Sequence, residues 1–132
     1  MLKLIKIASL LLLSVASQAE VTPNFESILQ LRADIQRYHQ EGVKIRQQYN
    51  LADLDQLKAC VNTYKPLREQ AKATMDAARQ VGSFTYRLDL VLAADAAFAC
   101  LYCGGNGSAC NTIPGDLQSL DEKLQAAGKL PE

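Results

Sequence analysis

The chain has no excess of charge, a single histidine, no phosphate loop carrying a lysine, and no apolar run of the roughly 20 residues needed to cross a bilayer. Each absence removes a class of function. Fourteen basic residues face fourteen acidic ones, and two of the basic ones, Lys3 and Lys6, fall in a leader expected to be removed. The remainder is slightly acidic, with Lys and Arg scattered among the acids. That pattern argues against a general binder of nucleic acid or anionic membrane, which needs a basic excess or stripe. The lone His39 lies one position off the apolar stripe of its segment, so a solvent-facing or edge placement is expected. No serine sits in a nucleophile elbow or beside a recognisable base. The glycine-rich run Gly104-Gly105-Asn106-Gly107-Ser108 lacks the lysine and the strand-to-helix setting of a phosphate cradle, although Asn106-Gly107-Ser108 is a formal N-glycosylation sequon. Neither an internal repeat nor a low-complexity stretch is present. No catalytic residue, cofactor or bound metal is expected on these grounds.

What is present is an export signal followed by four cysteines. Residues 1–19 combine Lys3 and Lys6, the apolar stretch Ile7 to Val15, and small residues at Ser17 and Ala19, which predicts a cleavable signal peptide removed before Glu20. No cysteine stands at the cleavage site, so lipid attachment there is not expected. The Leu-rich centre and paired lysines point to a bacterial signal and a periplasmic destination. Residues 20–132 suit one domain, and an even cysteine count in a small exported chain favours a disulfide framework.

The apolar pattern is helical. Ile28, Leu31, Ile35, Tyr38, Gly42, Ile45 and Tyr49 step by three and four, and Thr22 or Asn24 can cap the start. Gly42 marks a bend or a close helix contact. A second helix starts at Asn50 or Asp53 and carries Leu54, Leu57, Val61, Tyr64, Ala71, Met75 and Ala78. Pro66 is expected to kink or divide it. Gly82-Ser83 predicts a tight turn, with Gly82 as C-terminal cap and Ser83 as the next N-cap. Phe84, Tyr86, Leu88 and Leu90 alternate as a strand would, but the Ala- and Leu-rich continuation from Val91 to Cys103 favours a third helix. A loop over 104–115 follows, and Asp116 is expected to cap a fourth helix with Leu117, Leu120, Leu124 and Ala127 on one face, stopped by Gly128 and Pro131. The expected fold is all-α: an antiparallel bundle of about four helices with two disulfides.

Folding helices two and three back at 82–83 sets Cys60 level with about position 105, so Cys60–Cys103 with Cys100–Cys110 is slightly preferred. Cys100 would be offset from Cys60 by roughly 7 Å at 1.5 Å per residue, and a bend at Pro66 can absorb that, which keeps Cys60–Cys100 with Cys103–Cys110 open. The same mirroring places Arg68 within about one turn of Asp95, predicting a partly buried ion pair that sets helix register. Cys100-Leu101-Tyr102-Cys103 is a CxxC, yet it closes a helix where the dipole opposes thiolate formation, and no βαβ pattern surrounds it. Haem attachment would require His where Gly104 stands. Zinc at Cys100, Cys103 and Cys110 has acceptable spacing but competes with oxidation.

These features lead to a first expectation of a non-enzymatic periplasmic module that binds another envelope or exported protein by steric occlusion, as an inhibitor, immunity factor or assembly accessory. Tyr102, Asn106, Ser108 and Asn111 are its candidate contact residues. The alternatives are a thiol–disulfide or metal-handling protein using Cys100, Cys103 and Cys110, and a small-molecule carrier with an interhelical pocket.

Overall fold

The computed structural model describes residues 22–132, so the expected signal at 1–19 lies outside the described residues. Four helices follow in order: α1 Phe25–Gln48, α2 Leu54–Arg79, α3 Phe84–Cys100 and α4 Ile113–Ala126, with a 3-10 turn at Ser108–Asn111 before α4. Side-chain pairs nest about each connection. Tyr49 stacks edge-on against Tyr64, and farther from the 50–53 link Tyr38 meets Thr74. Cys60–Cys103, the Arg68–Phe98 contact and Arg79–Asp95 nest about 80–83, while Asp89 meets Ser119 and Lys123 across the last link. Nested pairs mean antiparallel neighbours, so the helices run up, down, up, down. Central in the bundle, α3 packs against α1, α2 and α4.

Caps and stops explain the boundaries. Asn24 Oδ1 accepts from the Ser27 amide and Asp53 Oδ1 from the Gln56 amide, each satisfying a donor that a helix start leaves unpaired. Ser83 precedes α3 without such a bond, and Gly82 does not take the left-handed conformation expected of a cap. Gly128 does, at φ 70°, where the amides of Gly128 and Lys129 reach back to Gln125 and Leu124 and close α4. α4 starts four residues earlier than expected: Ile113 opens it, Pro114 occupies the first turn, and Asp116 is a first-turn acid rather than the cap. Helix α2 runs undivided through Pro66, which lies on an exposed stretch of the helix.

One continuous core joins all four helices. From α1 come Ile28, Leu31, Ile35, Tyr38 and Ile45, from α3 Leu90, Ala93, Ala94 and Ala97, and from α4 Ile113, Leu117, Leu120 and Leu124. The buried face of α2 differs from the expected stripe, because Leu54 and Val61 point outward and Cys60, Tyr64, Ala71, Thr74 and Ala78 point inward. Thr74 is tolerated inside because its hydroxyl donates to the Gln70 carbonyl and accepts from the Tyr38 hydroxyl at 2.9 Å. Gly42 proves to be a close contact. A Cβ there would overlap the Cys100 sulfur and carbonyl, so α1 and α3 cross where only hydrogen fits.

Polar ties bind the outer edges. Arg32 Nε and Nη2 fork onto Asp121 at 2.5 and 2.7 Å, joining α1 to α4, and that hydrogen bond raises the Arg32 pKa against the opposing effect of burial. Asp89, almost fully buried on α3, accepts from Ser119 Oγ at 3.2 Å and lies 2.7 Å from Lys123 Nζ, which also donates to the Thr85 carbonyl. Burying a carboxylate costs free energy unless such partners compensate it. Its charge acts on the neighbouring turn: burial, and then repulsion from Asp89, push the Asp116 carboxyl above its ordinary value.

Candidate functional site

Helix α3 has more apolar residues than its buried face can use. Tyr86, Leu90, Ala93, Ala94, Ala97 and Cys100 fill that face, yet Phe84, Leu88 and Leu92 recur every fourth residue on the opposite side, 71%, 51% and 48% exposed. Residues spaced by four lie about 40° apart around a helix, so the three form one outward stripe. Scattered exposed apolar residues are ordinary, whereas these three form a contiguous row on a single helix. Asp95 is the acid on this face, and it is taken up by Arg79.

That pairing corrects the expected Arg68–Asp95 ion pair. Arg79 Nη2, reaching from the last turn of α2, holds Asp95 Oδ1 at 2.9 Å. Arg68 stands level with Phe98 instead, close to the mirrored position, but the chemistry there is aromatic. Its guanidinium carbon lies 4.5 Å from the Phe98 ring centroid and 5.1 Å from that of Tyr102. Asp95 is one turn nearer the 80–83 connection, which brings it within reach of Arg79.

Beside Arg68 a groove opens between α2 and α3. It holds a cavity of about 230 Å³ lined by Val61, Lys65, Arg68, Glu69, Lys72, Phe98 and Cys103. The sulfur of Cys103 belongs to the Cys60–Cys103 disulfide, which closes one end of the groove and fixes the spacing of its walls. The second disulfide, Cys100–Cys110, ties the 3-10 turn to the end of α3. Both bridges follow the preferred pairing, and no cysteine is free among the described residues. Two disulfides mark a chain that folds in an oxidising environment.

The loop at the same end of the bundle is held from below. Arg46, in the last turn of α1, donates through Nη2 to the carbonyls of Tyr102 at 3.1 Å and Gly105 at 2.8 Å. A cation near the last carbonyls of a helix also complements its dipole. Gly107 sits at φ 77°, and a Cβ there would come within 2.6 Å of Arg46 Nε, so glycine serves both the backbone and the guanidinium beneath it. Asn106 Oδ1 accepts from the Ser108 amide at 3.0 Å, tightening the turn. Tyr102, Asn106, Ser108 and Asn111, the residues expected to contact a partner, are all exposed at this end. His39 is half-buried on α1. Among the described residues no group of three or more His, Cys, Asp or Glu side chains gathers to hold a metal ion, and no helix is long and apolar enough to cross a membrane.

Sequence reasoning passed over the α3 stripe and the Arg46 clasp. The stripe had a signal: the alternation Phe84, Tyr86, Leu88, Leu90 that mimics a strand is what a helix apolar on two faces produces. Arg46 had none, because its partners are backbone carbonyls almost sixty residues away. The chain matches no protein-family model, no curated protein and no solved structure.

Proposed function

We propose that this chain is an exported, non-enzymatic protein-binding module that acts in an oxidising compartment, the periplasm, by covering part of a partner protein. The observation that carries this reading is the outward row Phe84, Leu88 and Leu92 on a helix whose opposite face already fills the core. Leaving three large apolar side chains in water is unfavourable, and a partner that covers them recovers roughly 25 cal/mol per Å² of apolar surface buried. The rigid end of the bundle, with Tyr102 at 50% exposure and the pinned loop, extends the surface. Two disulfides and the Arg46 clasp support the steric role, since a surface ordered before binding loses little entropy on docking. The pairing of all four thiols favours this reading over thiol exchange or metal handling.

The test is a photo-crosslinking residue placed at Leu88 and, as control, at exposed Gln36 on α1, in the cells that make the protein. A discrete adduct with one other protein at position 88, and none at 36, is the expected result. Equal labelling at both positions, or no adduct at 88, sinks the proposal.

A further inference from the structure

Resting on that protein-binding reading, we infer that the α2–α3 groove receives an acidic segment of the partner, a carboxylate seated on Arg68 with a large apolar side chain beside it. Three features point to this occupant. The first is unanswered charge: Lys65, Arg68 and Lys72 lie one turn apart on the groove wall, against the single acid Glu69, and none of the three forms an ion pair among the described residues. The second is pre-organisation. Arg68 lies against the rings of Phe98 and Tyr102, and its Nε is buried without an acceptor. A stacked guanidinium keeps its planar fork aimed, and a carboxylate is the anion whose two oxygens match that fork.

The third feature is size and lining. The cavity of about 230 Å³ is walled by Val61, Phe98 and Cys103 beside the cations. It falls below the roughly 300–1,000 Å³ of pockets that enclose a whole drug-sized ligand, and it stands open along the groove. One side chain of a bound chain fits this space while its neighbouring carboxylate reaches Arg68. Phe98 belongs to the same helix as the Leu88 and Leu92 row but lies about 120° around it from Leu92, so the groove is a second contact area beside the row.

The experiment is selection of short random peptides displayed on phage against residues 20–132 with both disulfides intact, followed by calorimetry on the recovered peptides made synthetically. Recovered sequences are expected to share Asp or Glu next to a large apolar residue. Arg68→Gln should weaken them by about tenfold to a hundredfold, as loss of a charge-assisted hydrogen bond does. Lys72→Gln, at an exposed position that leaves the core untouched, should weaken them by about twofold to fivefold. Arg68→Lys should not restore affinity, because an ammonium lacks the planar fork. Peptides without acids, or peptides that bind Arg68→Gln and Lys72→Gln as well as the parent, overturn the acidic groove while leaving protein binding by α3 standing. Recovery of no peptide overturns the acidic groove, while crosslinking at Leu88 decides the α3 row separately. Octanoate is the control probe: if it shifts the Val61 and Phe98 amide resonances at submillimolar concentration while no peptide does, the groove carries a small amphiphile and the inference falls.

Discussion

Arg46 and Gly107 form a two-residue device: the guanidinium clasps the loop carbonyls, and the missing side chain of Gly107 makes room for it. Arg46→Ala leaves the carbonyls of Tyr102 and Gly105 without their donor and should cost about 1–3 kcal/mol, toward the lower end because water can reach this edge. Gly107→Ala pays the left-handed backbone cost, about 1–2 kcal/mol, and also displaces Arg46. With the guanidinium gone, the second part of that cost vanishes, so the double variant should lose at least about 0.5 kcal/mol less than the two single losses combined. Urea unfolding of the four proteins measures the coupling. Strict additivity would mean that loop and guanidinium do not meet in solution. Asp116 gives a second expectation at this scale. Its carboxyl is raised by burial and then by Asp89, so the folded chain holds that proton more tightly than the unfolded one. Stability therefore falls as pH rises from the ordinary value of 3.8 through the folded value. Asp116→Asn removes the ionising group, and it should raise the melting temperature at pH 7 by a margin that disappears on acidification below 3.8. A margin that does not change with pH refutes the assignment.

Helices and their bridges set the next scale. The two disulfides close chain segments of unequal length, with separations of 43 and 10 residues. In the chain-entropy account the first contributes about 4 kcal/mol and the second about 3 kcal/mol, so replacing Cys60 and Cys103 by Ala should cost more than replacing Cys100 and Cys110. Denaturant midpoints of the two double variants decide it, and the reverse order would point to strain or residual structure in the unfolded chain. The pairing itself was legible because it needs only helix rise and the position of a turn, and both are local. The same arithmetic set Arg68 level with Phe98 to within a residue, but level alone does not say which side chain faces which. Rings, not a carboxylate, occupy that level, and Arg79 claims Asp95. The start of α4 differs from the expectation for another reason: Asp116 has the composition of a cap, while Pro114 suits a loop and the first turn of a helix equally well. The α3 stripe was readable only as a surplus. Its pattern shows too many apolar positions for one buried face without saying which ones remain outside, since that is decided by α1, α2 and α4 together.

For the molecule as a whole, a near-balanced charge and an apolar row on one face have a joint consequence. Soluble proteins stay apart partly through net charge, and this chain has little: its isoelectric point is about 6.6, and residues 20–132, which lack Lys3 and Lys6, have a lower one. At mildly acidic pH repulsion between copies vanishes, and Phe84, Leu88 and Leu92 remain in water. Twelve basic residues against fourteen acids are balanced only once carboxylates take up protons, so light scattering of residues 20–132 should pass through a maximum well below pH 6.6. Replacing Leu88 and Leu92 together by Gln, which leaves the charge and the isoelectric point unchanged, should flatten that maximum. The melting temperature should hardly move, because each site lies outside the packed core and surface changes of this kind are worth about 0.5 kcal/mol or less. A maximum that survives the double Gln variant would place the cohesive surface elsewhere on the bundle. A large drop in melting temperature would mean instead that the row is covered within the folded chain, and with that the reason for assigning α3 to a partner would be gone.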